Sequence, residues 1–168
     1  DSLSTTNTSA SNGYMMYDSD STNGGVGGED ADLITDAIDC SAHSNVHLFF
    51  NELLAHYAEI PTVSVSTDGS TWTQVFDAAA GLNQNDVTPN PTAIDIDISA
   101  IAANQVTVYI KFNFTGDYDY FWMVDDITLY EQEGTDAFLT SITAPTNSCT
   151  LLSATEVIEV SIYNNGGT

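Results

Sequence analysis

The residues of this chain best placed to do chemistry are carboxylates in positions where carboxylates are rare. Phe121-Trp-Met-Val-Asp-Asp-Ile-Thr-Leu-Tyr130 reads as a core strand that carries Asp125 and Asp126 in its middle. Side chains alternate between the faces of a strand. Unbroken alternation therefore puts Phe121, Met123, Asp125, Ile127 and Leu129 on one face, apolar except for Asp125. An ionised carboxylate among apolar groups costs several kcal/mol unless it is paired, coordinated or protonated. The usual partner is Lys or Arg, and the chain has one such residue, Lys111. A bound cation is the alternative, and hard oxygen ligands of this kind suit calcium.

Further oxygens lie in Asp18-Ser-Asp-Ser-Thr-Asn-Gly-Gly25, where polar side chains precede glycines that accept positive φ, a loop able to curl around an ion. It starts like an EF-hand loop but has neither the later Glu nor the flanking helices, so it is not read as one. Glu52 is a second acid on an apolar face, shared with Val46, Leu48, Phe50 and Leu54. The candidate calcium ligands are Asp18, Asp20 and Asp125, completed from Asp126, Glu52, Asn23 and backbone carbonyls near Gly24. Such an ion would serve folding rather than catalysis.

Two other chemistries have candidate residues in the chain. His43, His47 and Glu52 invite a zinc-hydrolase reading. However, His43 and His47 share a face only on a helix, and their segment reads as a loop entering a strand. No Gly-x-Ser-x-Gly elbow is present, and the glycines from Gly24 to Gly28 lack the lysine of a phosphate-binding loop. The expectation is a protein that is not an enzyme. Sugar binding needs aromatic faces beside polar groups, and Tyr118, Tyr120, Trp72 and Tyr57 are the candidate ligand-binding residues.

Composition narrows the partners. With 24 acids, one base and a formal net charge of −23, the chain lacks the lysines and arginines that phosphate-backbone binding requires. An anionic membrane surface would repel it as well. No apolar run approaches the roughly 18 residues of a membrane span, and the polar opening Asp1-Ser-Leu-Ser is not read as a signal peptide. The chain is expected to be a mature or excised fragment from a secreted or cell-surface protein. Cys40 and Cys149 are far apart and in no metal spacing, which leaves both a disulfide and two free thiols open.

The elements that must position these residues are strands. Short alternating runs are expected at 13–18, 32–38, 45–57, 62–66, 71–76, 92–99, 105–114 and 121–131. Thr67-Asp-Gly-Ser70 between two of them is a hairpin signal. Ile94, Ile96 and Ile98 should face inward, with Asp95 and Asp97 in water. Many short strands at this spacing, with no long helical period, predict an all-β sandwich. A separate pair of runs, 137–143 and 155–163, is too small for a core of its own. The expected domains are a flexible lead-in at 1–12, the β-sandwich at 13–133, and a partial Ig-like β segment at 134–168.

Three stretches together, Asn12-Gly-Tyr-Met-Met-Tyr-Asp-Ser-Asp20, Val65-Ser-Thr-Asp-Gly-Ser-Thr-Trp72 and Phe121-Trp-Met-Val-Asp-Asp-Ile127, resemble the cleaved-adhesin or choice-of-anchor J type of domain. These are relatives of MAM-like and carbohydrate-binding-module-like sandwiches in large secreted bacterial proteins. The resemblance covers roughly residues 12 to 131. It implies a jelly roll, stabilised by calcium and non-catalytic, that helps a multidomain protein adhere to a glycan or extracellular protein surface. By position, its acidic loop corresponds to Asp18 and Asp20, and its last-strand acid pair to Asp125 and Asp126. Cys40 stands where the family often has an aliphatic residue. The competing expectation is a structural spacer accessory to a secreted hydrolase or protease, in contact only with neighbouring domains of the same chain.

Overall fold

A computed structural model describes residues 13–22, 28–132, 137–144 and 157–164. The chain divides into two compact units, Asp1–Glu131 and Gln132–Thr168. In the first, the elements run β1 (Met15–Asp18), α1 (Ser19–Thr22), β2 (Glu29–Ile34), β3 (Val46–Ala55), β4 (Ile60–Ser66), β5 (Thr73–Asp77), β6 (Thr92–Asp97), α2 (Ser99–Ala102), β7 (Tyr109–Gly116) and β8 (Phe121–Glu131). They form two four-stranded sheets, ordered β1-β8-β3-β6 and β2-β7-β4-β5. Every neighbouring pair is antiparallel. This is the strand order of a jelly roll, an all-β sandwich as the strand pattern predicts.

The sandwich closes on residues that alternate inward. Leu48, Phe50 and Leu54 of β3 meet Val63 and Val65 of β4, Ile110, Phe112 and Phe114 of β7, and Trp122 and Val124 of β8 in one buried cluster. Phe50 makes edge contacts with Phe76 and Phe112, with ring centroids 5.7 and 5.1 Å apart. On β6 the isoleucines pack on this core and Asp95 and Asp97 are exposed, as alternation requires. The hairpin between β4 and β5 is set by Asp68, which accepts hydrogen bonds from the amides of Ser70 and Thr71 at 2.7 and 2.6 Å. Gly69 sits at φ 72°, where a side chain is disfavoured. Those donors hold the Asp68 carboxyl well below the usual carboxylate range.

Three local expectations need correction. β2 begins at Glu29 rather than Asp32, and Ile38 makes only an isolated bridge to Val108. The stretch after Asp18, expected as an open loop, starts with the single helical turn α1. Asp18 caps it by accepting the Ser21 amide at 3.0 Å.

The third correction concerns β8 itself. Phe49 of β3 pairs with Thr128, but Asn51 pairs with Asp125, so β8 spends an extra residue there. Asp126 takes it up at φ 53°, the left-handed conformation of a β-bulge. The bulge breaks the alternation assumed above. Trp122 and Val124 face the core, and so do Ile127 and Leu129 beyond the bulge. Phe121 and Met123 instead join Leu53 and Ala55 in a second buried cluster on the opposite face of the sheet.

In the second unit, β9 (Ala137–Ala144) and β10 (Glu159–Asn164) form an antiparallel ribbon. Cys40 is buried in the first unit, where burial, then the Asp39 charge, pushes its thiol up. Cys149 lies outside the described residues, as does the lead-in at 1–12.

Truncating Phe50 to Ala should lower stability by about 3–5 kcal/mol, the range for a fully buried phenylalanine. A urea melt followed by tryptophan fluorescence would measure it. Lys111, the one trypsin site, lies inside β7 between β2 and β4. Trypsin should therefore leave the folded chain whole under conditions where the urea-unfolded chain is cut, as read by mass spectrometry.

Candidate functional site

The acids singled out from the sequence occupy three separate places. Asp18 pairs with Phe121 across the β1–β8 ladder, whereas Val124, next to Asp125, pairs with Met15. Asp18 and Asp125 thus belong to opposite ends of that ladder, four residues or about 13 Å apart along the strand. Strand adjacency was necessary for these two acids to converge. The antiparallel register separates them. Glu52 is on neither site, because it pairs with Val124 and shares that residue's inward face, opposite to the face of Asp125. The Asp20 side chain and Asn23 lie outside the described residues. Among the described residues no three His, Cys, Asp or Glu side chains converge as a metal site.

Around the bulge, Asp125 is 8% exposed and its Oδ1 accepts the Asp126 amide at 2.8 Å. Asn51 Nδ2 donates to Asp126 Oδ2 at 2.8 Å. The two acids line a groove of about 430 Å3 with Gly13, Tyr14 and Met15. The bulge turns a charge out of the core and ties it to the neighbouring strand.

Glu52 is only 2% exposed, and Trp122 Nε1 donates to its Oε2 at 2.9 Å. Burial pushes its carboxyl up to about 7, against the lowering effect of the indole hydrogen bond. This acid is neutral in the fold below that pH and needs no counter-ion there.

The richest polar assembly lies at the α1 end of the sandwich. Ser19 is fully buried; its hydroxyl donates to the Glu29 carboxylate and accepts the Asp119 amide at 2.7 Å. The Ser19 amide donates to the Tyr120 carbonyl at 2.9 Å. Asp119, 3% exposed, accepts the amides of Asp117 and Ala58 at 2.8 and 3.1 Å. Glu59, 1% exposed, accepts the amides of Tyr57 and Ala58 at 2.9 and 3.2 Å and faces His56 Nδ1 at 2.8 Å. The Ala58 amide is thus shared by two buried carboxylates. Gly116 is required alongside them, because a Cβ there would collide with the Asp119 carboxylate and crowd Phe114.

Sequence reasoning passed over Glu59, Asp119, Ser19 and Glu29. Each stands in a turn, loop or strand end where a polar residue is ordinary, and only the topology collects them. The histidines are each engaged as well: His43 with Glu131 at 2.8 Å, His47 with Asp95 at 2.9 Å, and His56 with Glu59.

The aromatic candidates divide three to one. Tyr57 and Tyr120 meet edge to face with centroids 5.7 Å apart. Tyr120 rests on the second apolar cluster and donates its hydroxyl to Asn85 Oδ1 at 2.8 Å. Tyr118 stands two residues away, 61% exposed, and Tyr57 is 42% exposed. Both Tyr118 and Asn85 are left-handed, at φ 61° and 72°. For a tyrosine that conformation costs about 1–2 kcal/mol, the kind of local strain that concentrates at functional sites. Trp72 is elsewhere. Its ring covers Lys111 Nζ at 4.8 Å on the outer face of the other sheet, where Lys111 also meets Asp32 at 3.7 Å.

No family model matches the chain, and no curated protein matches it.

Two measurements test the buried acids. A group whose pKa is raised in the fold contributes stability that is complete below its ordinary value of 4.5 and is lost as pH rises through about 7. Stability should therefore fall by about 3 kcal/mol across that window on account of Glu52. Glu52→Gln should flatten this part of the urea-melt profile, and an unchanged slope would mean that Glu52 ionises freely. Separately, Gly116→Ala should lose about 1–3 kcal/mol from overpacking, as read by the same urea melt.

Proposed function

We propose that this chain is a non-catalytic binding module, a calcium-stabilised jelly roll of the cleaved-adhesin or choice-of-anchor J kind. In this reading it holds a secreted or cell-surface multidomain bacterial protein to a glycan or extracellular protein surface. The observation that carries it is the corner of Tyr57 and Tyr120 beside Tyr118, an exposed aromatic surface on loops anchored to a rigid sandwich. Large, stiff aromatic rings with a polar handle supply contact area at small entropic cost. Among the described residues no helix is long and apolar enough to cross a membrane.

Calcium enters this reading through the α1 end. Asp18 caps the turn that carries Ser19, and Ser19 joins Glu29 to Asp119. The oxygen-bearing side chains from Asp18 to Asn23, in a chain with one base, are of the kind that suits an ion taking 6–8 oxygen ligands at about 2.3–2.6 Å. Asp18, with Asp20 and Asn23, would contribute to its shell, whereas the Asp119 carboxylate is already held by the amides of Asp117 and Ala58. Asp125 and Asp126 would belong to a different place on the same strand. When bound, the ion would neutralise buried charge and fasten the loop to the sandwich.

Thermal unfolding in millimolar calcium, in magnesium at equal ionic strength and in EDTA tests the metal. Calcium alone should raise the melting temperature, by up to about 2.7 kcal/mol of stability at a hundredfold excess over the dissociation constant. Asp18→Asn should abolish the calcium-specific part, and superimposable curves in the three buffers would remove calcium from the reading. Binding itself is tested on an array of glycans and matrix proteins. Retention that is lost in Tyr57→Ala supports the module, and no retention on any surface would favour the spacer.

A further inference from the structure

Taking the tyrosine corner as the binding surface of this module, we propose that it selects glycans bearing protonated amines, of the glucosamine type, over neutral and acidic ones. The selection rests on what surrounds the rings. Asn83 donates through its backbone and side chain to the Asp86 carboxylate, at 2.7 and 3.1 Å, and holds that group below the usual carboxylate range. Asp86 is thus ionised at neutral and mildly acidic pH, next to the Asn85 that Tyr120 contacts. Asp117, exposed, precedes Tyr118 directly, and Asp119 and Glu59 lie buried behind the corner. His56, the imidazole at this corner, is engaged by buried Glu59 at 2.8 Å, and the one lysine is distant. Lys111 pairs with Ser64, whereas Thr115 pairs with Ile60 at the tyrosine end, four residues or about 13 Å further along β7.

Each ligand class meets this surface differently. A pyranose lays its flat apolar face on a tyrosine ring whatever its charge. An ammonium group gains in addition the attraction of the ring face and of the carboxylates around it. A uronate or sulfate meets Asp86 and Asp117 and is repelled by the field of the whole chain.

The test is titration of the whole chain at pH 5.5 and physiological salt, by calorimetry and amide NMR, with glucosamine hexamer, its fully N-acetylated counterpart and oligogalacturonate. The glucosamine hexamer should bind at least tenfold more tightly than the acetylated one, with shifts centred on residues 57, 85 and 117–120, and oligogalacturonate should not bind. The double variant Y57A/Y118A, which changes two exposed side chains, should lose tenfold or more. D117N should weaken the glucosamine hexamer and leave the acetylated one unchanged.

Equal affinity for the two hexamers would overturn the amine selection and leave the glycan-binding module standing. Binding that survives Y57A/Y118A, or shifts spread over the acidic surface, would mean diffuse charge attraction and overturn the site. Failure of all three sugars while a lysine-rich peptide binds would overturn it in favour of a protein partner. Failure of every probe would remove the binding module as well.

Discussion

A carboxylate that leaves water in this chain has almost nothing cationic to meet, and much of the structure follows from that constraint. With 24 acids against one base, ion pairing cannot compensate the buried acids. The fold uses other donors. Asp119 and Glu59 are held by backbone amides, one of them shared. Glu59 and two exposed acids take the three histidines. Glu52 takes an indole N–H and, pushed up to about 7 by burial, keeps its proton below that pH. The arrangements depend differently on conditions: amide donors are always present, whereas the neutral carboxyl of Glu52 is lost on alkalinisation. The stability of such a chain is therefore tied to proton and counter-ion activity more closely than that of a protein rich in lysine and arginine.

Strand β8 is where this electrostatic problem meets the packing problem. It lies between β1 and β3, so its backbone is bonded on both sides and its register sets the position of every neighbour. The bulge at Asp126 lets one strand serve two apolar clusters, one inside the sandwich and one on the far face of the sheet. Without the extra residue, Ile127 and Leu129 would turn away from the core. With it, the acids Asp125 and Asp126 fall at the crossover, where Asn51 and the local amides can reach them.

The second cluster also joins the packing to the proposed binding surface. Tyr120 packs on Leu53, Ala55, Phe121 and Met123, and its ring supports Tyr57. The turn that presents Tyr57 is the turn whose amides hold Glu59 and Asp119. An aromatic corner on an otherwise loop-built end is thus braced by an apolar cluster beneath it and by buried carboxylates beside it. Bracing of this kind is what lets exposed rings bind without first paying an ordering entropy.

Local pattern decided the secondary structure, because alternation with a period of two is a property of neighbouring residues. β8 spans Phe121–Glu131 as its composition predicts, the Asp68-Gly69 turn lies between β4 and β5, and Ile94 and Ile96 face inward. Glu52 was equally legible as an acid on an apolar face. What a period of two cannot contain is its own interruption, so the change of face at Asp126 was invisible; no glycine marked the left-handed residue. Nor can it contain register. Asp18 and Asp125 were legible as candidate ligands of one ion, yet pairing Asp18 with Phe121 drew them apart, while Ser19, Glu29, Glu59 and Asp119, unremarkable singly, were drawn together. Tyr57, Tyr118 and Tyr120 share an end of the sandwich because β3 and β8 both reach it, and Trp72 does not because its hairpin carries it over Lys111. Alternation is local and is written in the sequence; convergence depends on which strands pair and in what register, and that is settled only when the two sheets close on a common core.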